Sequence, residues 1–383
     1  MNTTSTPAPS GPAPSATPPA PIVWPDAARQ SAFEAWLGAV AAGHGLQPAS
    51  LRSASSDASF RRYFRIDGAS TGGAATSFIV MDAPPPLEDV RPFVHVAGVL
   101  HAAGLNAPRV LAEDATHGFL LLTDLGSRLY LGELQAALAR GAPRAADTLM
   151  RDAIRALVQW QTRADASALP ACDDALLRRE LALFPEWCVR LECGAVWSAD
   201  AQHEWQAACD LLVQSALAQP VVPMHRDYMP RNLMVCEGDA AGGAGAGIAH
   251  ANPGILDFQD AVRGPISYDV ASLLRDAFIS WDEEQEIDWA VRYWEAARKA
   301  GLPLQADFGE FWRELEWMGL QRHLKVLGIF SRLKHRDAKP KYSDDLPRFF
   351  NYAHKVAARY NALRPLSRLL EPLMGAERLE VFG

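Results

Sequence analysis

The sequence predicts an α+β protein, with a small sheet-rich part followed by a larger, mainly helical part. Three observations carry that expectation. Before residue 126 the apolar residues come mostly in short runs bounded by turn formers, at 60–66, 78–81 and 118–125. After residue 126 they recur at three- and four-residue spacing over long stretches, as buried helix faces do. The exception is 221–260, where short apolar runs flank polar turns inside the helical part. The implied domains are a tail over 1–25, an N-terminal unit over 26–125 and a C-terminal unit over 126–383.

The first 25 residues hold eight prolines and no charged side chain. They lack the basic start and apolar run of a secretory signal and read as a disordered tail. Phe33, Trp36, Leu37 and Val40 then mark a helix from near Asp26 to near Gly43. Residues 60–66 alternate aromatics with arginines and 78–81 are apolar, giving two strands across the turn-rich segment 67–73. Phe93, Val96, Ala97 and Leu100 mark a helix stopped by Gly104, and 118–126 is a buried strand breaking into a turn. Met150, Ile154, Leu157 and Val158 share a helical face, and helical periodicity returns at 268–281, 289–300 and 308–333. Residues 238–254, with six glycines, read as an enlarged loop without a function of its own.

Composition narrows the function. Of 383 residues 49% are hydrophobic and 21% charged, an ordinary globular balance able to form a core. With 37 basic and 45 acidic residues the net charge is −8, which argues against gripping nucleic acid or an anionic membrane through bulk charge. No apolar stretch of about 18 residues predicts a membrane span, and nothing in the chain calls for an obligate protein partner. Five cysteines without a CxxC pair fit a reducing, cytoplasmic setting. Only 6 of the basic residues are lysines, the first being Lys299, so no GxxxxGK[ST] phosphate loop exists.

The chemistry concentrates in Met224-His225-Arg226-Asp227-Tyr228-Met229-Pro230-Arg231-Asn232-Leu233-Met234-Val235. This is H-x-D-x-x-x-x-N running into an apolar strand; twenty-five residues after the asparagine comes Ile255-Leu256-Asp257-Phe258-Gln259-Asp260. Phosphoryl transfer asks a protein for alignment and charge neutralisation. Mg²⁺ takes hard oxygen ligands, which Asn232 and Asp257 supply, while Asp227 can accept or orient the proton of an attacking hydroxyl. The bland alternative is that Asp227 and Asn232 cap turns. His225 reads as a structural residue shaping the loop, and Asp269 as its brace or as a helix cap.

These residues resemble the aminoglycoside phosphotransferase family of protein-kinase-like small-molecule kinases. Residues 225–232 look like its catalytic loop and Leu256-Asp257-Phe258 like its metal-binding strand. Gly264-Pro265 with Tyr268-Asp269-Val270-Ala271 resembles its G-P-x-x-Y-D-x-A segment, and Leu121-Leu122-Thr123-Asp124-Leu125-Gly126 its interlobe hinge. The resemblance implies a protein-kinase-like bilobal fold, with a sheet-rich N-lobe and helical C-lobe. It also implies ATP as co-substrate, Mg²⁺, and adenine held near Leu122 and Asp124. More narrowly, Ser56-Asp57-Ala58-Ser59-Phe60-Arg61-Arg62-Tyr63-Phe64-Arg65, Val80-Met81-Asp82-Ala83-Pro84-Pro85 and Leu320-Gln321-Arg322-His323-Leu324-Lys325-Val326-Leu327-Gly328-Ile329-Phe330 resemble one branch of that family. That branch phosphorylates N-acetylmuramate and N-acetylglucosamine at the anomeric hydroxyl during peptidoglycan recycling. A kinase of choline, an aminoglycoside or an amino acid would keep the same catalytic residues. A non-catalytic module of the fold would tend to have lost Asp227 or Asp257.

The remaining site residues follow from chemistry and from this resemblance. Protein kinases hold the nucleotide phosphates with a third-strand lysine paired to a glutamate of the next helix. Met81 stands at that position here, and 91–104 contains no acidic residue. Alternation puts Arg61, Tyr63 and Arg65 on one strand face. Tyr63 lies where the family covers adenine, Arg61 is placed to reach the phosphates and Arg65 is the second choice. For the sugar, aromatic faces and hydrogen-bonding groups are sought among Glu186, Trp187, Glu192, Asp260, Arg275, Asp276 and Trp281. Asp260 reads equally as a solvated turn residue. The basic stretch Arg322, His323, Lys325, Arg332, Lys334, His335 and Arg336 reads either as a solvated helix face or as a recogniser of the lactyl carboxylate or phosphates.

Overall fold

A computed structural model describes residues 22–56, 60–69, 76–236 and 252–374. The chain divides into two compact units, one running to residue 90 and including 110–124, the other made of 91–109 and 125 onward. The first unit contains α1 (Ala27–His44) and the strands β1 (Arg52–Ser56), β2 (Arg62–Asp67), β3 (Ser77–Asp82), β4 (Val110–Asp114) and β5 (Phe119–Thr123). They form one antiparallel sheet in the order β1-β2-β3-β5-β4.

The two-residue alternation of β2 decides how the sheet packs. Phe64 and Ile66 are buried and join Phe33 and Leu37 of α1, with Val80, Phe119 and Leu121, in one core. Tyr63 and Arg65 point the other way, opposite Met81 and Ile79 of β3. Asp26 caps α1 by accepting the Arg29 N–H at 2.7 Å. The wholly buried carboxylate of Asp82, ending β3, is ion-paired to both Arg29 and Arg62 and so ties helix to sheet. Most of the segment expected as a tail lies outside the described residues. Its last four residues are described, and there the structure differs from expectation. Trp24 packs 4.8 Å from Phe33 and 5.8 Å from Phe64, with the Arg62 guanidinium 4.4 Å over its ring. Order therefore starts ahead of Asp26. The loop expected over 238–254 also falls mainly outside the described residues.

The second unit contains α2 (Arg91–Ala102), α3 (Tyr130–Ala139), α4 (Pro143–Arg163), α5 (Asp174–Leu183), a π-helical segment (Phe184–Glu192) and α6 (Ala199–Leu217). Two antiparallel strand pairs follow: β6 (Val221–Met224) with β9 (Val262–Pro265), and β7 (Leu233–Met234) with β8 (Gly254–Ile255). They precede α7 (Tyr268–Leu274), α8 (Glu283–Lys299), α9 (Phe308–His335), α10 (Leu346–Arg359) and α11 (Arg364–Met374). Helix starts are set by side-chain caps: Asp173, Ser198, Asp282 and Asp307 each accept a first-turn N–H. The 28-residue α9 is the axis of the unit, packing on the π-helical segment, α5, α6, α7 and α10. Its approach to α5 needs a glycine, since a Cβ on Gly328 would meet the Leu183 carbonyl carbon at 2.4 Å.

The helix expected over 268–281 ends at Leu274. Arg275 leaves helical geometry and the Asp276 side chain takes the Ala277 N–H at 2.6 Å, replacing a helical bond with a local one. Strands β1, β4 and β9 and helices α3, α5, α6, α10 and α11 were not predicted from the sequence. The strands mix polar and apolar residues without a clear period, and the helices add length to an already helical region.

Candidate active site

Two strand pairs carry the site. Met224 of β6 leads into His225–Asp227, and pairing of β7 with β8 brings residues 232 and 257 together across 25 positions of sequence. The close approach at β8 needs a glycine, since a Cβ at Gly254 would sit 2.8 Å from Leu125 Cδ1 and 2.9 Å from Cys236 Sγ. The Leu256 N–H donates to the Asn232 carbonyl at 2.9 Å. Asn232 Nδ2 in turn donates to the Asp227 carbonyl at 2.9 Å and to Asp257 Oδ2 at 3.3 Å. Asp227, Asn232 and Asp257 are thus gathered by one amide. Asn232 and Asp257 stand side by side, an amide and a carboxylate of the kind that can offer Mg²⁺ hard-oxygen ligands. Asp257 adopts φ 61°, a left-handed conformation uncommon for a side-chain-bearing residue and concentrated at functional sites. Gln259 Nε2 steadies its other oxygen at 3.0 Å and lies 3.4 Å from Asp260 Oδ2.

The start of the loop is fixed from behind. Asp269, fully buried at the start of α7, accepts the His225 N–H at 2.7 Å and the Arg226 N–H at 3.0 Å. Burial pushes its carboxyl up to about 7, against the pull of those two N–H groups. His225 is buried, and burial lowers its imidazole to about 4, so it is neutral at physiological pH. Its Nδ1 accepts the Asp227 N–H at 3.3 Å, which makes it a shaper of the loop. Tyr228 anchors the next residue through a 2.8 Å bond to the Ala153 carbonyl.

A further group, not predicted from sequence, holds Arg226. This residue has φ 75°, and its guanidinium bonds Glu180 of α5 at 2.7 Å. Lys325 of α9 reaches the same Glu180 oxygen at 2.8 Å and the Tyr268 hydroxyl at 2.9 Å. Burial works to raise the Glu180 carboxyl, but Lys325 and Arg226 outweigh it and hold it at about 2. The available sequence signal was a charged residue on the apolar face of α5, between Leu177 and Leu181.

The other expected site residues have these surroundings. In the first unit, Arg61 Nε donates to Glu88 Oε2 at 3.0 Å, and the Phe60 N–H reaches the same carboxylate at 3.2 Å. Arg65 forks onto Asp124 at 2.6 and 3.1 Å, joined by the Ser77 hydroxyl at 2.7 Å. Leu122 is buried in β5. In the second unit, Glu192 is paired with Lys334 and His335, and Arg275 with Glu286 and Glu316. Trp281 meets the Trp289 ring edge-on at 4.8 Å. The solvated-face reading of the basic stretch fails over 322–325, where Arg322, His323 and Lys325 are all buried. They lie on the faces of α9 that pack inward.

Known proteins are similar to this chain in sequence and in fold. The profile described as phosphotransferase enzyme family matches residues 50–310. An N-acetylmuramate/N-acetylglucosamine kinase of Pseudomonas aeruginosa is 48% identical over 360 residues, covering 92% of this chain and 99% of the relative. One from Neisseria meningitidis is 45% identical, covering 86% and 92%. Among solved structures, choline kinase LicA of Streptococcus pneumoniae matches at TM-score 0.56 and 11% identity, covering 86% of this chain and all of that one. The ADP-bound aminoglycoside phosphotransferase APH(2'')-Ib matches at 0.54 and 13%, covering 90% and 99%. These structures share the fold, a protein-kinase-like α+β architecture.

The Glu180 network makes a prediction about acid stability. A carboxyl held below its ordinary value stabilises the fold above about pH 4.5, and that contribution is lost as pH falls from there toward 2. Glu180→Gln should lower unfolding free energy by about 3 kcal/mol at pH 6, with the gap from wild type shrinking at pH 3. Urea denaturation at the two pH values measures this; a gap equal at both contradicts the assignment.

Proposed function

The chain belongs to the phosphotransferase enzyme family, and from that premise we propose that it transfers the γ-phosphoryl group of ATP to the anomeric hydroxyl of N-acetylmuramate and N-acetylglucosamine. The observation that carries the catalytic part is the Asn232 amide, which ties the Asp227 segment to Asp257. The substrate part rests on similarity of 45–48% along nearly the whole chain to kinases named for those two sugars. Choline and aminoglycoside kinases are like this chain in fold only, at 10–15% identity.

In the proposed step the Asp227 carboxylate orients the anomeric O–H and receives its proton. The anomeric oxygen forms a bond to the γ-phosphorus as the bond from that phosphorus to the β–γ bridging oxygen breaks. A sugar 1-phosphate and a nucleoside diphosphate leave. The anomeric hydroxyl is more acidic than other sugar hydroxyls, so alignment matters more than base strength. Asp257 and Oδ1 of Asn232 would hold Mg²⁺, which when bound offsets the phosphate charge. His225 and Asp269 keep Asp227 in place without touching substrate. The reaction belongs in the cytoplasm, where ATP is supplied.

For the nucleotide, the first unit offers Arg61 in place of a strand lysine. Glu88 orients its guanidinium as a helix glutamate orients the lysine in protein kinases. Arg65, already forked onto Asp124, instead stiffens the end of β5, with Tyr63 on the same sheet face between the two arginines.

Asp227→Asn should reduce turnover about 10²- to 10⁴-fold while ATP still binds, because it removes the base alone. Asp257→Ala should weaken Mg·ATP binding as well. Steady-state kinetics with calorimetric ATP titration separates the two, and near-normal turnover in both variants sinks the assignment. Arg61→Ala and Glu88→Gln should each raise the KM for ATP, with Glu88→Gln the milder, leaving sugar affinity unchanged. Wild-type ATP kinetics in Arg61→Ala would show that the phosphates are held elsewhere.

A further inference from the structure

The arginine next to the proposed base makes three connections, each to a different part of the second unit. Arg226 directly precedes Asp227 and turns the chain at φ 75°. Its backbone N–H is held by Asp269 of α7 at 3.0 Å. One terminal nitrogen of its guanidinium donates to Glu180 of α5 at 2.7 Å, and the other to the carbonyl of Asp260 at 3.4 Å. Its buried Nε has no hydrogen-bond partner among the described residues, so the side chain works through the two terminal nitrogens. Asp260 closes the segment that carries Asp257, and Gln259 Nε2 bonds the carboxylates of both. Glu180 is itself fixed: Lys325 Nζ shares its Oε1 at 2.8 Å, and Gln321 Nε2 donates to its Oε2 at 3.3 Å. With two cations holding its carboxyl at about 2 against the effect of burial, it is charged at neutral pH.

We infer that Arg226 is a positioning residue for phosphoryl transfer, a strut oriented by Glu180 that fixes the Asp227 segment against the 257–260 segment. The inference rests on the kinase reading above and adds to it a second tie between base and metal ligand, independent of the Asn232 amide. One hydrogen bond leaves two segments free to pivot about it; a second, at another point, removes that freedom. Arginine suits the task because its planar fork holds two donors at a fixed separation. A lysine ammonium is a single point charge and cannot span acceptors on two segments. A buried ion pair is a weak source of net stability, since desolvation offsets the attraction. What Glu180, Arg226 and Lys325 supply is a fixed direction for the fork.

The test compares Arg226→Lys and Glu180→Gln with wild type in steady-state kinetics on ATP and N-acetylglucosamine, with melting temperature and amide hydrogen exchange alongside. Arg226→Lys keeps a cation beside Glu180, so the fold should hold, yet it loses the span to Asp260. Its kcat should fall at least about 10-fold, because misalignment at the reacting centre acts on the transition state. The KM for each substrate should stay within about 3-fold of wild type. Exchange of the 257–261 amides should rise along with that of 225–228, since the strut joins both segments. Glu180→Gln should lower kcat by less, because its amide oxygen can still take one Arg226 donor. Arg226→Lys with wild-type kcat, or with exchange altered over 225–228 only, overturns the assignment and leaves a structural ion pair. If Arg226→Lys fails to fold, Glu180→Gln carries the test, and wild-type kcat in that variant is the contrary result. Wild type acting on choline in place of the sugar overturns the substrate reading only, and the same ratios are then taken with choline. Wild type without phosphotransfer overturns the kinase reading and this inference together.

Discussion

The buried Asp269 carboxylate receives the backbone N–H groups of both His225 and Arg226, and the loop over 225–232 takes its direction from that pair of bonds. The left-handed turn at Arg226 is held there, Asp227 follows it, and the loop ends at Asn232, whose amide returns to the Asp227 carbonyl. A ring of hydrogen bonds therefore fixes Asp227 and the Asn232 amide relative to each other, and Asp257 joins through the β7–β8 pair. Preorganisation of this kind is what phosphoryl transfer needs, since the reaction asks for alignment and charge placement more than covalent help.

Charge in the second unit is arranged in layers behind that ring. Glu180 binds Arg226 and Lys325 together, so α5 and α9 press on the loop through one carboxylate. Deeper in the bundle, Arg275 joins Glu286 and Glu316, and Arg359 and Tyr360 also reach Glu316. These groups are largely buried, and removing one member would leave another uncompensated. Such networks resist rearrangement and keep α7, which carries Asp269, on a rigid support.

Much of the proposed catalytic centre is legible because it is local in sequence. The H-x-D-x-x-x-x-N spacing fits within one loop, and a short apolar run before Asp257 announces the strand that delivers it. The alternation at 62–66 likewise separated Phe64 from Tyr63 and Arg65 correctly, since a two-residue period has only two phases. Partnerships between distant segments were not legible. Glu88 stands before α2, outside the 91–104 stretch in which a kinase-like acidic partner is expected. Glu180 and Arg322 look like ordinary charges until α5 and α9 turn them inward. The helix read through 281 stopped at Leu274 because Asp276 bonds its own chain, a choice that apolar periodicity does not encode.

The identity of the atom that accepts the phosphoryl group tests the account most directly. Phosphorus NMR of the product from N-acetylglucosamine and ATP, with proton coupling retained, distinguishes the positions by their neighbouring protons. A phosphorus coupled to the single anomeric proton is the result the account predicts. Coupling to the two methylene protons of a 6-phosphate, or release of inorganic phosphate alone, would contradict it.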